Sequence, residues 1–218
     1  MRWEETMGLT RREAMAGCGA ALLTGLPAFA QAAYPSQIIK MIVPYPAGGT
    51  TDLLGRLVAD QLRSGLGAHV SVENKPGAAT AVGAEHVARS APDGHTLLMA
   101  TSTTLAINKT LNRKLPYDPV KDFTPIALVA GVPFALIVNP QMPAKTLSAF
   151  IAYAKSKPGL AYGSAGNGSP QHLGAEMLKA ATGIKLRHVP YRGSVTAMQD
   201  MIAGHIAFVM MDLQPALK

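Results

Sequence analysis

The sequence predicts an α/β protein made of two lobes, each with a mostly parallel sheet flanked by helices. Short apolar segments alternate with amphipathic segments from residue 34 onward, as strands and helices do in such sheets. Loops rich in Gly, Pro, Ser and Thr separate these segments. One glycine-rich loop joins a predicted strand to a predicted helix in each half of the chain, so we place lobe 1 at 34–130 and lobe 2 at 131–218.

Residues 1–33 differ in kind from the rest and are predicted to be a signal peptide. Arg11 and Arg12 precede a weakly apolar run at 14–26, and the small-x-small pattern at 28–30 suits signal peptidase. Both twin-arginine and Sec export stay open. A first helix of the domain is the alternative, but three glycines and a proline would weaken it. We therefore expect a periplasmic protein from which this segment has been removed.

Lobe 1 is predicted to alternate strand and helix until about residue 100. The helical signal fails between 108 and 125, and extended apolar runs at 126–130 and 134–138 are candidates for a crossover between lobes. The predicted strands of lobe 1 are 38–43, 69–73 and 97–100, and its helices are 53–66 and 81–90. The predicted strands of lobe 2 are 160–163, 185–190 and 206–210, and its helices are 147–155, 171–181 and 195–203.

The loop at 44–52 is the first candidate binding element. Gly48 and Gly49 allow the backbone to approach a ligand closely, and the free amides of the following helix favour a carboxylate or phosphate. Asp52 suits a helix cap as well as it suits a ligand contact.

The loop at 164–170 is its counterpart in the second half, since four small residues expose backbone amides to an anion or an ordered water. The hydroxyls of 101–104 follow a predicted strand at its carboxyl end.

Charge and composition exclude several classes of function. The net charge is +7, yet the basic residues are dispersed without an Arg/Lys run or interleaved aromatic residues, so we expect no nucleic-acid partner and a preference for small anions. Cys18 is the only cysteine and lies in the predicted signal peptide, which leaves no disulfide or thiolate in the mature chain. The six histidines lack ligand spacing, so we expect neither a metal nor a cofactor.

Five dispersed segments resemble the Bug family of extracytoplasmic solute receptors, which serve tripartite tricarboxylate transporters. The similarity runs from about Tyr34 to the end of the chain. The segments are IVPYPAGGTTD at 42–52, VENKPGA at 72–78, APDGHTLL at 91–98, KLPYDPVKDF at 114–123 and HVPYRG at 188–193.

The resemblance implies a two-lobed flytrap of the periplasmic-binding-protein type (type II-like). It holds a small carboxylate, which is a mono-, di- or tricarboxylate or an amino-acid-like acid, through backbone amides and bridging waters. The resemblance also implies a non-enzymatic receptor, working as a monomer with the membrane components of a tripartite tricarboxylate transporter. By position, the first wall of the site is Tyr45, Ala47, Gly48, Gly49, Thr50, Thr51 and Asp52, the second wall is Ala165, Gly166, Gly168, Ser169 and His172, and the floor includes Thr101 and Ser102.

The chain also departs from the family pattern. Ala79 and Thr80 stand where glycines are usual, and Tyr45-Pro46-Ala47 replaces the common Phe-Pro-Pro. Family members continue well past residue 218, so we expect an incomplete second lobe and open apolar faces.

Two alternatives to a working receptor stay open at this point. One is a nonfunctional truncated fragment of such a receptor. The other is an exported hydrolase using Ser169, His172 and Asp52, although no Gly-x-Ser-x-Gly motif is present.

Overall fold

Two separate sheets organise the computed structural model, which describes residues 34–213. The predicted signal peptide at 1–33 lies outside the described residues, as does the stretch 214–218. One sheet is formed before residue 130 and the other after it, and the exact division into lobes stays a prediction.

The first sheet has three parallel strands in the order β2-β1-β3. The central strand β1 is apolar and largely buried, as expected for a strand covered on both faces. Its strands are β1 (Ile39–Val43), β2 (Val70–Asn74) and β3 (Thr96–Leu98), and its helices are α1 (Thr50–Leu66) and α2 (Ala81–Ala88).

Helix α1 begins three residues earlier than predicted, directly after Gly49. It approaches β1 closely at Gly55, where an added Cβ would lie 2.8 Å from the Val43 side chain. It ends at Gly67, which takes the left-handed conformation common after helices. The predicted strand-loop-helix unit is therefore confirmed, with its loop shortened to 44–49.

A left-handed turn precedes α2. Ala78, Ala79 and Thr80 all have positive φ, at 44°, 51° and 76°. Each non-glycine residue in this region costs on the order of 1 kcal/mol. The two positions where the sequence lacks the usual glycines thus lie inside this strained turn.

Buried hydrogen bonds to the residues after β3 stabilise that turn. The Thr104 hydroxyl donates to Thr80 Oγ1 (2.9 Å), and Asn108 Nδ2 donates to the Ala79 carbonyl (2.7 Å). The chain there forms a single π-helical segment, Thr103–Ile107, and a short α3 (Asn108–Leu111). The prediction that no helix starts at 108 is therefore wrong over four residues, because buried side-chain bonds outweigh the weak helix propensity of Asn and Thr.

The apolar run at 126–130 forms no strand with any of residues 34–213. Ile126 and Leu128 are 79% and 93% exposed. This agrees with the expectation that apolar surface is left open in this chain.

The second sheet has four strands in the order β4-β7-β5-β6, and only the β4-β7 pair is antiparallel. The mostly parallel character predicted for the fold is thus confirmed. Strand β7 lies two residues later than predicted. The strands are β4 (Phe134–Val138), β5 (Leu160–Ser164), β6 (Leu186–Pro190) and β7 (Phe208–Asp212), and the helices are α4 (Leu147–Ser156), α5 (Pro170–Thr182) and α6 (Ser194–Ile202).

Five aromatic rings form a continuous stack that runs from α5 to α4 across the strands of this sheet. His172 stacks on His188 with 4.0 Å between centroids, and His188 stacks on Tyr162 at 4.9 Å. Tyr162 stacks on Phe208 at 5.3 Å, and Phe208 meets Phe150 edge-on at 4.9 Å. The ring column, as we call these five residues, links the start of α5 to the core of the sheet.

Within 34–213, the helices are all too short or too polar to span a bilayer.

Candidate functional site

The loop between β1 and α1 presents backbone amides at its helical end. The first intrahelical bond runs from the Leu53 amide to the Gly49 carbonyl (3.0 Å). The amides of the first turn, at 50–52, precede that bond and point along the positive end of the helix dipole. Gly48, with φ of 85°, makes the turn that leads into them. This end of α1 therefore favours a negatively charged group.

Asp52 holds this loop in place from inside. Its side chain is buried, at 2% exposure, and its carboxylate accepts hydrogen bonds from Gly48 N (2.9 Å), Arg56 Nε (3.0 Å) and Asn74 Nδ2 (2.9 Å). Asn74 Nδ2 also donates to the Tyr45 carbonyl (3.0 Å). Although burial opposes ionisation, these donors lower the pKa of Asp52. Asp52 is thus a positioning residue for the loop. Because the Gly48 amide donates to Asp52, that amide is not available to a ligand.

Tyr45 joins the loop to the threonines after β3. Its hydroxyl lies 3.2 Å from Thr101 Oγ1, which lies 3.4 Å from Thr104 Oγ1. Burial raises the pKa of Tyr45, and the charge of Asp212 on β7 raises it further. The phenol therefore stays protonated at neutral pH and is available as a hydrogen-bond donor.

The second loop, 164–170, uses several of its own groups internally. Ser169 caps α5 by accepting from the His172 amide (3.2 Å), and its hydroxyl donates to the Gly166 carbonyl (2.8 Å). The Gly166 amide donates to Ser164 Oγ (3.1 Å), and the Gly168 amide donates to His172 Nδ1 (3.2 Å). The two glycine amides expected to bind a ligand are therefore both engaged within the protein.

The carboxyl-end loops of the two sheets meet. A Cβ added to Gly193, before α6, would lie 3.5 Å from Pro46 Cγ in the first loop. A Cβ added to Gly168 would lie 2.8 Å from Leu111 Cδ1 of α3. Ligands of open α/β sheets bind at such strand ends. Two surface cavities of ≈ 180 and ≈ 240 Å³ lie elsewhere, beside Phe150 and beside Asp93, but neither gathers the amides of these loops.

Polar atoms that have no partner among residues 34–213 lie on both sides of this meeting region. Thr50 is 8% exposed, and its hydroxyl at the start of α1 makes no hydrogen bond within 34–213. Gln171, 6% exposed, donates through Nε2 to Asp212 Oδ1 (2.9 Å), but its Oε1 has no partner in the same part of the chain. Buried polar groups are nearly always paired, so these atoms point to a missing partner.

Gln171, Asp212 and Ser194 were not predicted from the sequence. Gln171 lies in the first turn of α5, two residues after the predicted Ser169, and this position is the one signal that the sequence offered. Asp212 comes near it only through the pairing of β7 with β5. Ser194 Oγ is 3.5 Å from Gln171 Nε2.

The hydrolase assembly that was left open as an alternative is not formed. Asp52 bonds to Gly48, Arg56 and Asn74, while the Ser169 hydroxyl donates to a carbonyl, so within the described chain no hydrogen bond joins Ser169 to the His172 ring. Ser164 Oγ does lie 2.7 Å from His188 Nε2, but Ser164 is 0% exposed and out of reach of a substrate.

The remaining predicted residues divide by exposure. Ala47 and Ser102 are exposed, while Gly49, Thr51 and Ala165 are partly buried. In the part of the chain that the structure describes, no group of three or more His, Cys, Asp or Glu side chains is placed to hold a metal ion.

Residues 54–218 match the family described as "Tripartite tricarboxylate transporter family receptor". Among curated relatives, the chain is 39% identical to Protein BugT of Bordetella pertussis, over 80% of this chain and 54% of that protein. It is 40% identical to a UPF0065 protein of Cupriavidus necator, over 91% of this chain and 61% of that protein. The chain therefore spans little more than half the length of these relatives.

Solved structures show the same fold. A periplasmic transporter matches with a TM-score of 0.80 and 44% identity, over 83% of this chain and 61% of that one. The R. palustris protein Rpa4515 with adipate matches with a TM-score of 0.80 and 34% identity, over 83% and 60%. MatC from Rhodopseudomonas palustris with bound malate matches with a TM-score of 0.77 and 34% identity, over 84% and 64%.

Proposed function

Because the chain belongs to the tripartite tricarboxylate transporter receptor family, we propose that it captures a small carboxylate in the periplasm and delivers it to the membrane components of such a transporter. It reaches the periplasm by export with removal of residues 1–33 and works there as a monomer, with lobes at 34–130 and 131–218 closing on the ligand.

One observation carries the proposal, namely the Thr50 hydroxyl, which has no hydrogen-bond partner within 34–213 and lies beside the first-turn amides of α1. A carboxylate at this helix end accepts from the amides and from the hydroxyl together. It thereby satisfies a buried group whose missing hydrogen bond otherwise costs about 1–3 kcal/mol.

The opposite loop completes the site. Pro46 and Gly193 approach each other across the region where the loops meet, so a small ligand held by α1 also contacts the second sheet. The solved relatives with adipate and with malate support an organic acid as the ligand. The net charge of +7 draws such anions toward the protein.

We place this protein among binding proteins, not enzymes. The groups that a hydrolase would use are engaged in holding the two loops: Asp52 by Gly48 and Asn74, and Ser169 by Gly166. A nucleophilic hydroxyl requires a base within hydrogen-bond reach, and Ser169 bonds to a carbonyl instead.

Calorimetric titration of the full chain with adipate and malate tests the proposal. We expect saturable binding of at least one acid, and we expect Thr50→Val to weaken it by about tenfold because the hydroxyl is lost without a change of shape. The matched control is Thr110→Val, since Thr110 is exposed on α3.

If neither acid, nor any member of a wider panel of mono-, di- and tricarboxylates, binds to a chain that unfolds cooperatively, the proposal is refuted. A chain that shows no cooperative unfolding would support the truncated-fragment alternative instead.

A further inference from the structure

The loop at 164–170 contains an asparagine followed by a glycine. Of the five asparagines in the sequence, only Asn167 has this neighbour. Its side chain is exposed and makes no hydrogen bond within 34–213, so it is free to bring its Cγ against the main-chain nitrogen of Gly168. Glycine has no Cβ to obstruct that approach. Attack by the nitrogen on Cγ closes an imide ring and expels ammonia from the asparagine.

A base lies at the attacking nitrogen. Gly168 N donates to His172 Nδ1 (3.2 Å), so the neutral ring carries its own proton on Nε2. That Nε2 lies 3.7 Å from Glu176 Oε1. A main-chain amide is a weak nucleophile, and it becomes a stronger one when a base within hydrogen-bond reach takes its proton. The imidazole is placed to take this proton, and the carboxylate is placed to stabilise the imidazolium that results.

The other groups packed around His172 are compatible with this role. Its neighbour Glu176 also accepts from Lys179 Nζ (2.8 Å) on α5 and from the Tyr162 hydroxyl (2.8 Å) on β5. His188, on β6, stacks on the His172 ring at 4.0 Å. Burial lowers the pKa of His188 to about 4, so at neutral pH it adds no positive charge beside His172.

We propose that Asn167 is a self-modifying site, at which the Gly168 nitrogen displaces ammonia from the Asn167 side chain with His172 as the base. The bond from Gly168 N to Asn167 Cγ forms, and the Cγ–Nδ2 bond breaks. The proton passes from Gly168 N to His172 Nδ1 and then to the departing nitrogen, which leaves as ammonia. Water opens the imide at either carbonyl, and residue 167 becomes an aspartate or an isoaspartate. This inference does not depend on the proposed function.

The modification changes both the charge and the main chain of the loop. Either product adds a negative charge at an exposed position, since Asn167 is exposed. An isoaspartate also inserts a methylene group into the main chain before Gly168, which changes the position of the Gly168 amide relative to His172. The loop of a stored protein therefore differs in charge and length from that of a freshly made one.

Incubation of the purified full chain at neutral pH, followed by mass mapping of its peptides, tests the proposal. We expect residue 167 to gain the mass difference between an amide and an acid, and isoelectric focusing to show a growing species of lower net charge. Asn112 is the internal control, because it is exposed but is followed by arginine. Retention of the amide at residue 167 throughout the incubation would overturn the proposal.

The variant His172→Gln tests the base. A glutamine oxygen can still accept from the Gly168 amide but does not take its proton, so conversion of Asn167 should slow by about 10- to 100-fold. Imidazole added to the buffer should restore part of the lost rate. His205→Gln is the matched control, since the His205 side chain is 70% exposed, and it should leave the rate unchanged. Thermal unfolding of each variant shows whether it has folded.

The pH profile separates a base from a merely structural residue. Histidine side chains change charge between about pH 5 and 8 and act as bases only when neutral. The rate in the unaltered chain should rise across this range and then level off, whereas the rate in His172→Gln should keep rising with hydroxide concentration. Equal rates and profiles in the two folded proteins would overturn the role of His172. Conversion that occurs only in the chain unfolded by urea would overturn the proposal as a whole.

Discussion

Replacing Asp52 by asparagine is expected to destabilise the protein strongly, although the side chains have nearly the same size. One carboxylate oxygen accepts from both Gly48 N and Arg56 Nε, and the other accepts from Asn74 Nδ2. With the asparagine oxygen placed toward Gly48, its NH₂ group faces the NH₂ group of Asn74. Asn74 cannot rotate its amide without losing its bond to the Tyr45 carbonyl.

The size of this loss depends mainly on Gly48 and Asn74, the two hydrogen-bond donors to Asp52 that water replaces least well. Hydrogen bonds to a charged group contribute about 1.5–3 kcal/mol each, and the opposed NH₂ groups forfeit the bond from Asn74. The bond from Gly48 survives but weakens because its acceptor is now neutral. The exposed Arg56 pair adds little, because solvent screens it. We therefore expect a loss of about 2–4 kcal/mol in the free energy of unfolding.

Urea denaturation near neutral pH measures this loss directly. Asp60→Asn is the matched control, because Asp60 pairs with Arg63 on the exposed face of the same helix and should cost less than about 1 kcal/mol. A folded Asp52→Asn protein within about 0.5 kcal/mol of the unaltered chain would refute this account of the loop.

Three further changes test other parts of the fold. Burial and a neighbouring histidine lower the pKa of His188 to about 4. Below about pH 6.5 this side chain therefore stays neutral in the native state but takes up a proton in the unfolded state. The free energy of unfolding should fall by roughly 1–2 kcal/mol, allowing for solvent screening, as the pH drops from about 6.5 to about 4. His188→Gln should abolish this dependence in pH-dependent urea titrations, and His205→Gln should retain it. Ala79→Gly should raise the free energy of unfolding by about 0.5–1 kcal/mol, because glycine tolerates a φ of 51° without strain. The control Ala180→Gly, within α5, should lower the free energy of unfolding by about 1 kcal/mol. A lower free energy of unfolding for Ala79→Gly would show that the turn is not strained there. Gly163→Ala should cost about 1–3 kcal/mol in thermal or urea unfolding, since its Cβ would lie 2.7 Å from Ile206 Cδ1; a neutral result would show that the sheet can yield there.

The sequence predicted the sheet class because alternation of strand and helix is a local signal. The strands β1 and β5 and the helices that follow them lie within a few residues of the predicted positions. The family resemblance is also confirmed, since residues 54–218 match the receptor family. These features depend on residue patterns that are close together along the chain.

The fine geometry of the loops depended on partners far apart in sequence. The sequence indicates a cap or a ligand contact for Asp52, but its carboxylate accepts from Asn74, twenty-two positions away. The sequence predicts free amides at Gly166 and Gly168, but Ser164 and the His172 ring accept from them. A loop sequence shows which amides exist and does not show which side chains will reach them.

The residues that the sequence missed illustrate the same limit. Gln171 and Asp212 are forty-one positions apart and meet because β7 pairs with β5 and α5 covers that sheet. The helix at 108–111 was missed because the bond from Asn108 to the Ala79 carbonyl is a tertiary contact. The composition of the segment alone favours an irregular chain.

The ring column can report on the conformation of the 164–170 loop. His172 accepts from the Gly168 amide at one end of the column, and Phe150 lies in the core at the other. Each ring shields or deshields the protons above it, so a small shift of the 164–170 loop changes the magnetic environment of His188 and Tyr162. Nuclear magnetic resonance of those ring protons can therefore follow the state of the loop without any added label.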